Sequence, residues 1–90
     1  MFKSVTLHIT GKVQNVGFRY STVQKAHQLG VNGYVRNHRD GSVYIEAEAE
    51  EANLQKFVDW CHDGPSSARV DNVNIQHNEL SDFRGFNVRY

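Results

Sequence analysis

The order of two hydrophobic periods along the chain restricts its fold more than any other feature. Apolar residues alternate with polar ones where a strand is expected, and recur every three or four residues where a helix is expected. The patterns predict strands over 5–10, 31–36 and 43–49, a strand within 70–77, a last strand over 86–90, and helices over 18–29 and from 50 to the Gly64-Pro65 stop. The order is therefore β-α-β-β-α-β, followed by one short strand.

This order is typical of an α+β fold, the ferredoxin-like split βαβ sandwich. Such a fold has one mostly antiparallel sheet with two helices on one face. The first two strands run parallel with the third strand between them, so their carboxyl ends share one edge of the sheet. Two strand spacings, about 10 Å at roughly 4.8 Å each, separate those ends. Residues that follow strands one and two are therefore expected to face each other across a short gap.

Two details of the strand pattern lead to specific expectations. Val70 has a different parity from Val73 and Ile75, which predicts a bulge or a late strand start. Glu46 and Glu48 share one face of the third strand, and we expect that face to be solvated.

The stretch Gly11–Arg19 joins the first strand to the first helix and is the main candidate for a binding site. Its two glycines and Asn15 permit backbone angles that most residues avoid. Such a loop can turn several N–H groups toward one point, where a helix N-terminus adds partial positive charge. Arg19 adds a guanidinium, so the stretch predicts a phosphate or carboxylate site. On spacing alone, a tight connection with one surface arginine remains an equal alternative.

Length, charge and cysteine content limit the other possibilities. Ninety residues predict a single domain over 1–90, and ten basic against ten acidic residues leave no net charge to favour nucleic acid or an anionic membrane. No apolar run approaches the roughly 20 residues that span a bilayer, and no signal peptide is expected. A single cysteine, Cys61, is simplest to explain as a buried structural thiol in a reducing cytoplasm.

Two separated motifs carry a resemblance to a known family. The first is Gly11-Lys12-Val13-Gln14-Asn15-Val16-Gly17-Phe18-Arg19, and the second is Gly33-Tyr34-Val35-Arg36-Asn37 followed by Asp40-Gly41-Ser42-Val43. The segments 64–70 and 86–90 add to the match, which covers almost the whole chain. In these motifs and in its length, the chain resembles the acylphosphatases, small metal-free enzymes that hydrolyse carboxyl-phosphate bonds.

The resemblance implies a role for each matched residue. Arg19 would grip the phosphate oxygens, and Asn37 would hold the attacking water. The remaining phosphate contacts would come from the backbone amides of Gln14, Asn15, Val16, Gly17 and Phe18. It also implies a small acyl phosphate as substrate, inorganic phosphate as product and competitive inhibitor, and no metal or other cofactor. We expect a cytoplasmic monomer that binds neither nucleic acid nor membrane.

One residue departs from the family motif. Asn15 stands where the family usually has glycine, and asparagine is among the few other residues that tolerate a left-handed backbone. Its own N–H can still point at the phosphate, so we expect activity to survive. A weaker affinity or a slower rate is the expected consequence if its side chain crowds the loop.

Two alternative functions use the same fold. A non-catalytic anion-binding module would keep the loop and bind phosphate without hydrolysis. An RNA-binding domain would present stacking aromatics, here Tyr34 and Tyr44, although its consensus string and a basic charge are absent. The five histidines lack metal-ligand spacing and are interpreted as surface residues, and the carboxylate of Tyr90 could approach the site.

Overall fold

A computed structural model describes all of residues 1–90 and contains five strands and two helices. Their bounds are β1 (Phe2–Lys12), α1 (Phe18–Leu29), β2 (Asn32–Asn37), β3 (Val43–Glu50), α2 (Glu51–Asp63), β4 (Arg69–Asn78) and β5 (Phe86–Val88). Every predicted element is present. β1, β3 and β4 are longer than their hydrophobic alternation indicated, β2 is shifted by one residue, and β5 is shorter.

The five strands form one sheet in the order β4-β1-β3-β2-β5. Both β1 and β2 pair antiparallel with β3, so they run parallel to each other with β3 between them. β5 adds to the free side of β2 as a parallel strand. The predicted ferredoxin-like arrangement is confirmed, and with it the shared edge that brings together the ends of β1 and β2.

The core lies between one face of the sheet and the two helices, which also pack against each other. On α2 the stripe Leu54, Phe57, Val58 and Cys61 is buried, as its helical spacing predicted. On α1 the buried residues are Phe18, Thr22 and Ala26, and the helix ends at Gly30 with a left-handed backbone. Cys61 is fully buried, which agrees with its interpretation as a structural thiol.

The pairing of β1 with β4 contains the predicted irregularity. Thr10 is opposite Asn72, but the next residue, Gly11, is opposite Val70. Asp71 is therefore an extra residue on β4, and a bulge of this kind reverses the parity of the residues beyond it. The disagreement between Val70 and Val73 has this physical cause.

The expected solvation of the outer face of β3 is wrong for Glu48, which is only 2% exposed. The connection between β4 and β5 crosses this side of the sheet, and the backbone N–H groups of Ser81 and Phe83 donate hydrogen bonds to the Glu48 carboxylate. Charged hydrogen bonds of this kind compensate the burial of a carboxylate. The connection has no hydrophobic period, so no pattern in it indicated that it would cover a strand.

Candidate active site

The connection between β1 and α1 curls because two of its residues adopt left-handed backbone angles. Asn15 has φ 61° and Gly17, the N-cap of α1, has φ 76°. Asn15 thus takes the conformation that its position in the family motif requires, at a modest cost for a residue with a side chain. On the other side of the loop, the Ser67 hydroxyl donates to the Val16 carbonyl oxygen at 2.6 Å and ties it to the segment after α2.

The backbone amides of this loop are not used by the protein. No N–H group from Gln14 to Phe18 donates a hydrogen bond to a backbone or side-chain acceptor. The first turn of α1 contains no acidic residue that would compete for them. A helix N-terminus with free amides and no carboxylate favours an anion.

The side chain of Gln14 connects this loop to the turn between β2 and β3. Its Nε2 group donates to the carbonyl oxygens of His38 at 2.8 Å and Ser42 at 2.9 Å. His38 directly follows Asn37, so the clamp fixes the loop relative to the end of β2. The family motif predicted a phosphate contact from the backbone amide of Gln14. Nothing in the sequence indicated that its side chain would also join the two segments.

A cavity of about 360 Å³ opens at the shared edge of the sheet. The candidate residues that line it are Asn15, Gly17, Phe18, Arg19 and Asn37. The other two, Gln14 and Val16, belong to the same loop but do not line the cavity. The ends of β1 and β2 therefore bring the proposed cation and the proposed amide to one concave surface, as the topology predicted.

Arg19 is half-buried and has no carboxylate within ion-pair distance among the salt bridges of the chain. Its guanidinium carbon lies 5.2 Å from the centre of the Tyr90 ring, which is cation–π distance. The ring of Tyr90, rather than its carboxylate, is the group held against Arg19. The charge of Arg19 thus remains available to an anionic ligand.

Asn37 is half-exposed overall, but its Oδ1 atom is buried and has no hydrogen-bond partner in the protein. Leaving a buried acceptor unpaired costs about 1–3 kcal/mol, so such atoms usually serve a ligand or an ordered water. Because this atom is buried, the side chain must rotate before Oδ1 can accept a hydrogen bond from a water molecule in the cavity, which Asn37 lines.

A hydrogen-bonded network lies beside the Gln14 clamp. The Ser42 hydroxyl donates to Asp40 at 2.5 Å and lies 2.7 Å from His8 Nε2, while His38 Nδ1 lies 3.2 Å from Asp40. Hydrogen bonds from the Ser42 hydroxyl and then its backbone N–H hold the pKa of the Asp40 carboxyl well below its usual range. The Asp-Gly pair predicted a turn here. It did not predict the hydrogen bonds of Ser42 to Asp40 and to His8, which hold the turn in place.

The aromatic residues considered for RNA stacking are already engaged. Tyr34 is 8% exposed, donates to Glu46 at 2.5 Å and has the Arg89 guanidinium 3.9 Å from its ring centre. The guanidinium of Arg36 lies 4.8 Å from the ring centre of Tyr44. These contacts leave no open aromatic platform on β2 and β3 like that of an RNA-binding sheet.

The chain has neither a metal-binding cluster nor a membrane-spanning helix. No three His, Cys, Asp or Glu side chains come together in a way that could hold a metal ion. Neither helix has the length and hydrophobicity that crossing a bilayer requires.

The fold belongs to the ferredoxin-like α+β class, and comparison with known proteins shows the family within that class. The acylphosphatase family model matches residues 5–88. The acylphosphatase of Salinibacter ruber is 46% identical over 88 residues, which is 97% of this chain and 93% of that protein. The crystal structure of acylphosphatase from Bacillus subtilis covers 100% of both chains with a TM-score of 0.95 and 32% identity. The chain belongs to the acylphosphatase family, whose members are hydrolases.

The same fold also occurs as part of a longer protein. The crystal structure of full-length HypF matches this whole chain with a TM-score of 0.93 and 27% identity, over 12% of its own length.

Proposed function

We propose that this protein hydrolyses the carboxyl-phosphate bond of small acyl phosphates, with Arg19 and Asn37 as its catalytic residues. The products are a carboxylate and inorganic phosphate. Membership of the family supports the reaction class, and the cavity at the sheet edge supports the assignment of the residues.

The phosphate group is bound by positive charge and by backbone donors. The unpaired Arg19 guanidinium can make two parallel hydrogen bonds to phosphate oxygens, which a lysine ammonium cannot reproduce. The amides of residues 14–18 and the N-terminus of α1 supply further donors at the same place. Together they stabilise the charge on the equatorial oxygens during transfer.

Asn37 orients the attacking water through its side-chain amide, which can both accept from and donate to water. The water oxygen forms a bond to phosphorus while the bond between phosphorus and the carboxyl oxygen breaks. The carboxylate leaves without needing a proton, and a phosphate oxygen takes the proton of the water. Asparagine is too weak a base to remove that proton itself, so positioning and electrostatics supply the catalysis.

The observation that carries this proposal is the shared cavity of Arg19 and Asn37. One provides a charge with no ion-pair partner, and the other a buried acceptor with no protein donor. Two such residues lining one cavity, beside a row of unused amides, suit a bound oxyanion and a water.

The test is hydrolysis of benzoyl phosphate in the presence of a chelator, because we expect no metal requirement. Arg19→Ala and Arg19→Lys should each lower kcat/KM by about 10³-fold or more, as arginine removal does in other phosphoryl-transfer sites. Asn37→Ala should lower kcat by about 10²-fold and change phosphate inhibition little, because the water alone is misplaced. Arg84→Ala removes an exposed arginine that does not line the cavity and serves as the control. Near-normal turnover by Arg19→Lys contradicts the assignment.

A non-catalytic anion-binding module gives a different result in the same assay. It would bind inorganic phosphate with an Arg19-dependent affinity but show no turnover above the uncatalysed rate. Membership of the acylphosphatase family favours the enzyme over this alternative.

We further propose that the protein acts as a monomer in the cytoplasm and binds neither nucleic acid nor membrane. A single buried thiol and zero formal net charge support this environment. Sedimentation at micromolar concentration with the mass of one chain is the expected result.

A further inference from the structure

The cavity that contains Arg19 and Asn37 extends beyond the space that a phosphate group would need. Apart from Val13 of the loop, its remaining walls come from α1, from the last residue of β5 and from the residue that ends the chain, namely Tyr20, Val23, Gln24, Val88 and Tyr90. None of these residues belongs to the motif that forms the loop. With phosphate against Arg19, the rest of an acyl phosphate must point along these walls.

The walls are apolar and partly aromatic. Val23 and Val88 are half-buried and pack against the core, so they form a fixed floor. Tyr20 is 71% exposed and Tyr90 is fully exposed, so both rings are open to a ligand. The guanidinium carbon of Arg19 lies 5.2 Å from the centre of the Tyr90 ring, which brings this aromatic side chain close to the reacting phosphate.

From this arrangement we infer an acyl-group subsite, formed by Tyr20, Val23, Val88 and Tyr90, that favours substrates with an uncharged aromatic acyl group over acetyl phosphate. This inference rests on the proposed function, because it assumes that Arg19 holds the phosphate. It adds the substrate class, which the loop and Asn37 leave open.

Two physical reasons favour an aromatic and uncharged acyl group. A flat ring buries more apolar surface than a methyl group and can pack against a tyrosine face or edge. Arg19 is the only residue with a positive charge that lines the cavity, and the phosphate uses it. A second carboxylate or phosphate on the acyl group would therefore lose water without gaining a cation.

The test compares kcat/KM for benzoyl phosphate and acetyl phosphate in the same variants. The ratio of the two values cancels any loss that affects both substrates. Tyr20→Ala should lower the ratio by about 3- to 10-fold, the range for losing one aromatic contact, mainly through a higher KM for benzoyl phosphate. Tyr20→Phe keeps the ring and should remain within about 2-fold of wild type.

A second variant changes the ratio in the opposite direction. Gln24 is the one exposed polar side chain on the α1 wall, and Gln24→Leu should raise the ratio by about 2- to 3-fold because it adds apolar contact. Phe2→Ala removes an exposed aromatic residue outside the cavity and should leave the ratio unchanged. An unchanged ratio in both Tyr20→Ala and Gln24→Leu would overturn the inference.

Binding of non-hydrolysable analogues separates this inference from the proposed function. Titration calorimetry with benzoylphosphonate and acetylphosphonate should give tighter binding of the aromatic analogue, with the difference reduced in Tyr20→Ala. If wild type fails to hydrolyse either substrate but shows this difference, the catalytic proposal fails and the subsite stands. If turnover is normal and the two analogues bind equally in wild type, the subsite fails and the catalytic proposal stands.

Discussion

Gln14→Glu should uncouple the phosphate loop from the strand end that carries Asn37. The Gln14 amide makes the only side-chain hydrogen bonds between the loop and the β2–β3 turn, to the His38 and Ser42 carbonyl oxygens. Glutamate has nearly the same size but lacks the two donors, and its carboxylate would face two carbonyl oxygens. The change therefore removes the connection without opening a cavity.

The magnitude follows from the two lost hydrogen bonds. Each neutral bond contributes about 0.5–1.5 kcal/mol, and because Gln14 is half-exposed, water can partly replace them. We expect the free energy of unfolding to fall by about 1–2 kcal/mol. The effect on catalysis should be larger, because a displacement of about 1 Å between reacting groups can lower the rate about 10²-fold.

Steady-state hydrolysis of benzoyl phosphate, phosphate inhibition and urea unfolding together test this prediction. We expect kcat to fall by about 10- to 100-fold, and phosphate inhibition also to weaken, because the new carboxylate adds negative charge to the loop that binds the anion. Gln28→Glu makes the same chemical change at an exposed position of α1 and should leave kcat and phosphate inhibition unchanged. Its carboxylate in the last turn of the helix should lower the free energy of unfolding by no more than about 0.3–1 kcal/mol. Wild-type kcat in Gln14→Glu, despite a measured loss of stability, would refute the idea that this clamp aligns Asn37.

Three further predictions concern the fold. Burial raises the pKa of the Cys61 thiol, so iodoacetamide should modify it only when the protein is unfolded, as mass spectrometry would show. Burial, and then the hydrogen bond to Glu46, raise the pKa of Tyr34 from 10.0 to about 12. The raised pKa of Tyr34 stabilises the folded protein fully below pH 10, and this stabilisation is lost as the pH rises toward 12. The free energy of unfolding, measured in urea, should therefore fall across that range. Gly33→Ala should lower the free energy of unfolding by about 2–5 kcal/mol in urea titration, because the new Cβ would lie 1.9 Å from the Glu46 carbonyl oxygen at φ 142°.

The fold was predictable because its information is local. Alternation along β1 and the stripe on α2 reflect which residues face the core, and element order then leaves few topologies. The position of Arg19 and Asn37 at one cavity was predictable from the order of the strands. β1 and β2 run parallel with one strand between them, so their carboxyl ends lie at the same edge of the sheet.

The missed features depend on contacts between segments distant in sequence. Glu48 is buried by the connection after β4, which has no period and no turn signal that fixes its path. The Gln14 side chain finds its acceptors 24 and 28 residues away, in carbonyl groups that every residue carries. Neither contact can be read from residue type and spacing.

The central claim is that Arg19 and Asn37 face the same bound oxyanion, and a titration with inorganic phosphate followed by ¹H–¹⁵N NMR tests it most directly. Saturable shifts should be largest for the amides of residues 14–18, the Arg19 side chain and the Asn37 side-chain amide, with one dissociation constant that Arg19→Ala weakens strongly. Phosphate binding that leaves the Asn37 side chain unchanged, or that persists unaltered in Arg19→Ala, would contradict the claim.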